Sequence, residues 1–264
     1  MSRLVQMGKA QLKRGGRATV TALGREQQAR ELLGRVREAR LTLDPNQRRE
    51  LRDDHATEVI LTSVLRANSN AIDVGANRGD VLASIVRLAP QGRHIAFEPI
   101  PELCERLAAR FLSVDVRCAA ASDTRGQTEF AHVVGAPAYS GLRRRSGLPA
   151  DAGEVRSIKV QVERLDDVAQ AGYVPTLLKI DVEGAELGVL RGATEMLARH
   201  RPFVLFEHGL GGADLYGTHP TEVFDLLTAS GLRIFDLDGG GPYSREGFEQ
   251  TFAEPIWNFL AAPA

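Results

Sequence analysis

Acidic side chains recur in this chain wherever short apolar segments give way to polar turns, a pattern suited to a cationic, nucleoside-like ligand. The densest instance is Asp73-Val74-Gly75-Ala76-Asn77-Arg78-Gly79. Glycines at 75 and 79 permit a tight turn and close approach of a ligand to the backbone, while the first amides of a following helix stay free. A dinucleotide site calls for Gly-x-Gly-x-x-Gly facing a pyrophosphate; here one glycine is replaced and an acid leads the turn. That exchange favours a positively charged ligand, and S-adenosylmethionine, with its ammonium and sulfonium groups, outranks NAD.

Further acids extend the reading. Glu98, in Phe97-Glu98-Pro99, is spaced to accept hydrogen bonds from both ribose hydroxyls, and Ser122-Asp123 is the candidate partner of an adenine amino group. With Gly75, Asn77, Gly79 and Asp181 they form the expected donor-binding set. Asp181-Val182-Glu183 places two carboxylates at a strand-to-helix junction, and Glu207-His208 ends another apolar segment. Methyl transfer is an in-line displacement, so holding a hydroxyl near the sulfonium methyl supplies most of the acceleration, with a positioned base adding to it. Asp181, Glu183 and His208 are the candidates for that base, and His208 has the most suitable unperturbed pKa. Asp181, Glu207 and His208 could also hold magnesium or manganese, but the donor alone accounts for acids at these places, and the metal is left unassigned. Arg143-Arg144-Arg145, behind Tyr139 and Ser140, could meet a phosphate or carboxylate of the acceptor; a solvated loop is the commoner reason for such a run. His219, before Pro220, reads as a turn residue.

The elements that must position these groups follow from periodicity. Short apolar strands are expected at 70–74, 93–97, 114–119, 177–180, 203–206, 232–236 and 256–260, alternating with helices at about 79–89, 101–111 and 185–200. The fold class is therefore α/β, a doubly wound Rossmann-like sheet of mostly parallel strands. Two extra strands, 126–134 and 154–162, read as an inserted hairpin around the loop 135–153. Before the sheet, Glu26 to Leu43 has an amphipathic helical pattern, and Asp44-Pro45 starts a second helical stretch to Leu65, with Asp53-Asp54-His55 as the place for an interruption. We divide the chain into a helical N-terminal extension, 1–66, and a catalytic domain, 67–264. The extension is basic up to Arg52; a solvated helical face is the commoner reason for that charge, with a partner or oligomer contact as the alternative.

Composition narrows the classes. A chain of 264 residues with a formal net charge of −1 and 43% hydrophobic residues has no basic excess for nucleic acid or anionic membrane. It has no apolar run of membrane-spanning length and no secretory leader, so a cytoplasmic setting is expected. Two cysteines, Cys104 and Cys118, are expected as reduced packing residues. Lysine stands only at 9, 13, 159 and 179, and no mechanism follows from that count.

Taken together, Ile72 to Gly79, Phe97-Glu98-Pro99, Ala121-Ser122-Asp123, the run Lys179-Ile180-Asp181-Val182-Glu183-Gly184-Ala185-Glu186 and Leu190-Arg191-Gly192-Ala193 resemble the FkbM-family methyltransferases, over residues 55 to 210. The resemblance implies a seven-stranded class I methyltransferase fold, S-adenosylmethionine as donor, and as acceptor a hydroxyl of a small natural product, sugar or glycolipid. The competing classes are an NAD-dependent oxidoreductase, whose glycine spacing is absent, and a non-catalytic cofactor-binding interaction module. A nucleic-acid amine methyltransferase would show Asn or Asp with Pro-Pro and an aromatic where Asp181-Val182-Glu183-Gly184 stands.

Overall fold

A computed structural model describes residues 45–145, 148, 152–168 and 172–264. The amphipathic helix expected at 26–43 lies outside the described residues, as does most of the basic extension. The chain divides into two compact units, Met1–Asp54 and His55–Ala264. The first described element is the helix α1 (Pro45–Val64), which runs without a break through Asp53-Asp54-His55, so the expected interruption there is corrected.

The larger unit winds as β1 (Asn70–Val74), α2 (Asp80–Leu88), β2 (His94–Phe97), α3 (Pro101–Arg110) and β3 (Val114–Arg117). Then come the short β4 (Ala119–Ala121), the long pair β5 (Gly126–Val133) and β6 (Val155–Glu163), and α4 (Leu165–Val168). The winding resumes with β7 (Pro175–Ile180), α5 (Glu186–Arg191), α6 (Thr194–His200), β8 (Phe203–Glu207), α7 (Pro220–Ala229), β9 (Leu232–Asp236), α8 (Arg245–Thr251) and β10 (Asn258–Pro263).

Seven strands form one sheet in the order β3-β2-β1-β7-β8-β10-β9, in which only β10 runs antiparallel to its neighbours. The chain winds outward from β1 to β3, then returns to β1's other side at β7, which makes the β1/β7 boundary a topological switch point. Central strands are covered by helices on both faces, and so read as continuous apolar runs; β9, at the edge, alternates buried and exposed residues. Alternation along each strand sends Ile72, Val74, Leu178, Ile180, Val204 and Phe206 to one core and Ala71, Leu177 and Leu205 to the other, where Leu61, Leu65 and Ile85 meet them.

Three expectations need correction. The strand expected over 114–119 is two: after Arg117 the chain leaves the main sheet, and β4 pairs in parallel with β6 in a separate three-stranded sheet ordered β4-β6-β5. The helix expected over 185–200 is broken at Gly192-Ala193, because the Gly192 backbone packs on the Ser122 carbonyl, where a Cβ would come within 2.1 Å. Finally, Cys104 and Cys118 are joined by a disulfide, with Cα atoms 5.4 Å apart, rather than lying reduced. Helix α3 and the end of β3 bring them together, an approach that separation along the chain does not reveal.

Candidate active site

The parallel strands bring the carboxyl ends of β1, β2, β7 and β8 to one edge of the sheet, and the acids that follow them meet there. Gly75 and Ala76 both donate backbone hydrogen bonds to the Phe97 carbonyl, 3.0 Å each, which ties the turn after β1 to the end of β2. Asn77, with φ 48°, donates its N–H to Glu98 Oε2 at 2.8 Å, and Ile100 N donates to Oε1 at 2.9 Å. Each Glu98 oxygen keeps a free lone pair, and burial raises the pKa of this carboxyl. The Asn77 Oδ1 is buried without a partner in the protein.

A cleft with about 650 Å³ of open space, including its mouth, runs over these groups, and Gly75, Asn77, Glu98, Asp181 and Glu183 all line it. Its far wall is Ala119–Ala121 and part of the insertion, Pro137, Ser140 and Leu142. Internal packing, beyond the ligand approach expected of them, also accounts for the glycines. A Cβ on Gly75 would lie 1.9 Å from the Asp181 carbonyl, and one on Gly79 would lie 2.6 Å from Leu107, so both are demanded by protein packing against the turn.

The reading of Asp73 is corrected. It is fully buried, and the cation it faces is internal: Lys179 Nζ lies 3.2 Å from Asp73 Oδ1 and 3.3 Å from Asp181 Oδ2, and donates to the Gly75 carbonyl at 2.8 Å. Burial alone would lower the pKa of Lys179, but Asp73 and Asp181 hold it above its ordinary value. The sequence signal was a lysine inside the apolar strand Leu177-Leu178-Lys179-Ile180, in register with Asp73.

Glu183 lines the cleft with a left-handed backbone, φ 56°. Burial, followed by the charge of Asp181, pushes its pKa up to about 8; the ion pair with Arg145 pulls the other way without prevailing. Glu186 stabilises this turn, its Oε1 accepting from Val182 N and Gly184 N at 3.1 Å each, and burial raises its pKa to about 7. Glu207 adds a further raised acid, through burial and then the charges of Asp181, Glu183 and Glu186. Sequence reading assigned Glu186 no role; the signal was an acid two residues past Gly184, at the start of a helix.

His208 does not join them. Its ring stacks on Phe248, centroids 5.6 Å apart, and leans on Phe252, with both nitrogens buried and unpartnered. Burial lowers its pKa to about 4, and no contact takes it to Asp181 or Glu183, so the expectation that it faces the reaction is corrected. Ser122 and Asp123 open on a neighbouring cavity that shares Leu142 and Ala185 with the cleft, and so stand apart from Glu98. Two of the three arginines have partners within the protein: Arg143 Nη1 donates to the Leu215 carbonyl, Arg143 N donates to the Tyr216 hydroxyl, and Arg145 pairs with Glu183 and lies over the Tyr139 ring. His219 caps α7. Among the described residues no group of three or more His, Cys, Asp or Glu side chains is arranged to hold a metal ion.

A seven-stranded wound sheet with one antiparallel strand, a switch-point cleft and carboxylates at its strand ends is the arrangement of the Rossmann-like methyltransferase fold. Residues 73–234, more than half of the chain, match the family model for the methyltransferase FkbM domain, and the chain belongs to that family. S-adenosylmethionine is its methyl donor, and the open lone pairs of Glu98 and the unpartnered Asn77 Oδ1 fit a nucleoside with donor hydroxyls. The methyltransferase sdnD of Sordaria araneosa is 30% identical over 56% of this chain and 68% of its own length. The AMB antimetabolite synthetase AmbE of Pseudomonas aeruginosa is 27% identical over 75% of this chain, which spans only 12% of that protein. Among solved structures, a methyltransferase FkbM from Methylobacillus flagellatus KT is similar at 16% identity and a TM-score of 0.47, over 75% of this chain and 44% of that one.

Proposed function

We propose that this chain transfers a methyl group to a hydroxyl of a small natural product, sugar or glycolipid. The observation that carries the reading is Glu183, a carboxyl lining the donor cleft whose pKa, at about 8, lies where a general base for a hydroxyl is most effective. Bound in the cleft, S-adenosylmethionine supplies an electrophilic methyl on a sulfonium. Glu98 and Asn77 orient its nucleoside, Asp181 faces its charged end, and Glu183 takes the proton from the acceptor oxygen once Arg145 releases it. The insertion, through Pro137, Ser140 and Leu142, forms the wall against which the acceptor is held.

Asp-Val-Glu-Gly after β7 lacks the proline and aromatic grip on a flipped base, which supports a small acceptor over nucleic acid. One relative is an antimetabolite synthetase, which favours a natural-product acceptor. Among the described residues no helix is long and apolar enough to cross a membrane. A cytoplasmic setting and the Cys104–Cys118 bond pull in opposite directions, since disulfides persist in oxidising compartments. Oligomer contacts through the N-terminal helices stay part of the proposal, as does the division at residues 66 and 67.

The variant Glu183→Gln separates catalysis from binding. It is expected to bind S-adenosylhomocysteine by calorimetry as wild type does, while turnover falls by about 10² to 10⁴-fold, the contribution of a positioned base. Normal turnover would remove Glu183 from the reaction.

A further inference from the structure

Lys179 is the one buried cation at the donor end of the cleft that the described structure pairs with two carboxylates at once. We propose that Lys179 is the positioning residue of the donor site, an internal ammonium that fixes the Gly75 carbonyl and the Asp181 carboxylate where the amino-acid tail of S-adenosylmethionine docks. The proposal rests on the donor assignment above.

Asp73 and Lys179 are direct neighbours on adjacent parallel strands and share the face that carries Ala71 and Leu177. A lysine there is only 9% exposed; its ammonium donates to the Gly75 carbonyl and ion-pairs with Asp73 Oδ1 and Asp181 Oδ2. Enclosed by these protein oxygens, it acts on the ligand through the groups it holds. Asp73 is 0% exposed and serves as its counter-ion. The side chain of Asp181 is 41% exposed and retains oxygen lone pairs toward the cleft it lines. Lys179 thereby holds one residue of the glycine turn and one acid of the β7 end in a fixed relation, across the switch point. Glu98, Glu183 and Glu207 also feel its charge, though less than their own burial. The nucleoside contacts, Glu98 and Asn77, are fixed separately by backbone N–H groups, so loss of the lysine should be felt at the tail.

Two ligands distinguish positioning from general stability. S-adenosylhomocysteine carries the amino-acid tail; 5′-methylthioadenosine keeps the nucleoside and thioether but lacks it. Calorimetry on Lys179→Met is expected to show S-adenosylhomocysteine affinity falling by about tenfold or more, with 5′-methylthioadenosine unchanged within about twofold. Should the orphaned Asp73 prevent folding, the double variant Asp73→Asn/Lys179→Met removes both charges and leaves the Gly75 carbonyl unheld, and the same selective loss is expected. Equal losses for both ligands would make Lys179 a residue of the fold alone, and unchanged affinity for both would remove it from the site; either overturns the proposal. Failure of the wild type to bind S-adenosylhomocysteine would overturn the donor assignment together with this proposal, and is recognised because it needs no substitution.

Discussion

Glu183 combines a left-handed backbone, burial under Arg145 and a pKa lifted to about 8, a set of costs that a carboxylate in a simple surface turn does not carry. Its protonated form cannot accept a proton, so the rate should rise with pH and level off above about 8. In Glu183→Gln this limb should disappear from the pH–rate profile; a limb that persists unchanged would assign the base to another group. At this scale the acids that follow strands were legible, because a carboxylate at a strand-to-turn junction has a sequence signature. Glu98, Asp181 and Glu183 stand together around the cleft for that reason. His208 shared the signature and yet packs among Phe248 and Phe252, since those rings come from a helix forty residues further on and their approach is a tertiary event. Lys179 went unread because its partners are supplied across the sheet by register, which a local pattern does not contain.

Between residue and molecule, the decisive element is the departure of the chain from the main sheet after Arg117. Cys118 sits at that corner, and its bond to Cys104 fastens the corner to α3, beside Ile100 and Ala119 of the cleft. The bond closes a loop with a sequence separation of 14. Cys104→Ala is therefore expected to cost about 3 kcal/mol, the chain-entropy value for a loop of roughly this length, read as a lower urea midpoint under non-reducing conditions. An unchanged midpoint, with free thiols in the native wild type, would mean that the two cysteines are not joined. Local pattern did locate the hairpin of β5 and β6, whose register pairs Gly126 with Val162 and Val133 with Val155. It did not separate β4 from β3, because one apolar run can serve two sheets and only pairing decides between them.

Across the whole molecule, alternation of strands and helices was enough to name an α/β wound sheet and to place its ligand at the strand ends. The order of the last strands was not legible: β10 enters between β8 and β9, and its antiparallel pairing to both is long-range information. The resulting architecture directs Glu98, Asp181, Glu183 and Glu207 to one edge, with Lys179 pairing Asp181 beneath it and the insertion on one side. Methyl transfer at that edge needs a donor bearing positive charge and an acceptor whose proton can leave to Glu183. The most direct measurement supplies S-adenosylmethionine carrying a carbon-13 methyl, with wild-type protein, to fractionated extract of a deletion strain, in the presence and absence of a chelator, and identifies the labelled product by its carbon NMR shift. A methoxy signal that requires Glu183 and survives chelation is the predicted result; a label on nitrogen or carbon, or no transfer to any small molecule, would contradict it.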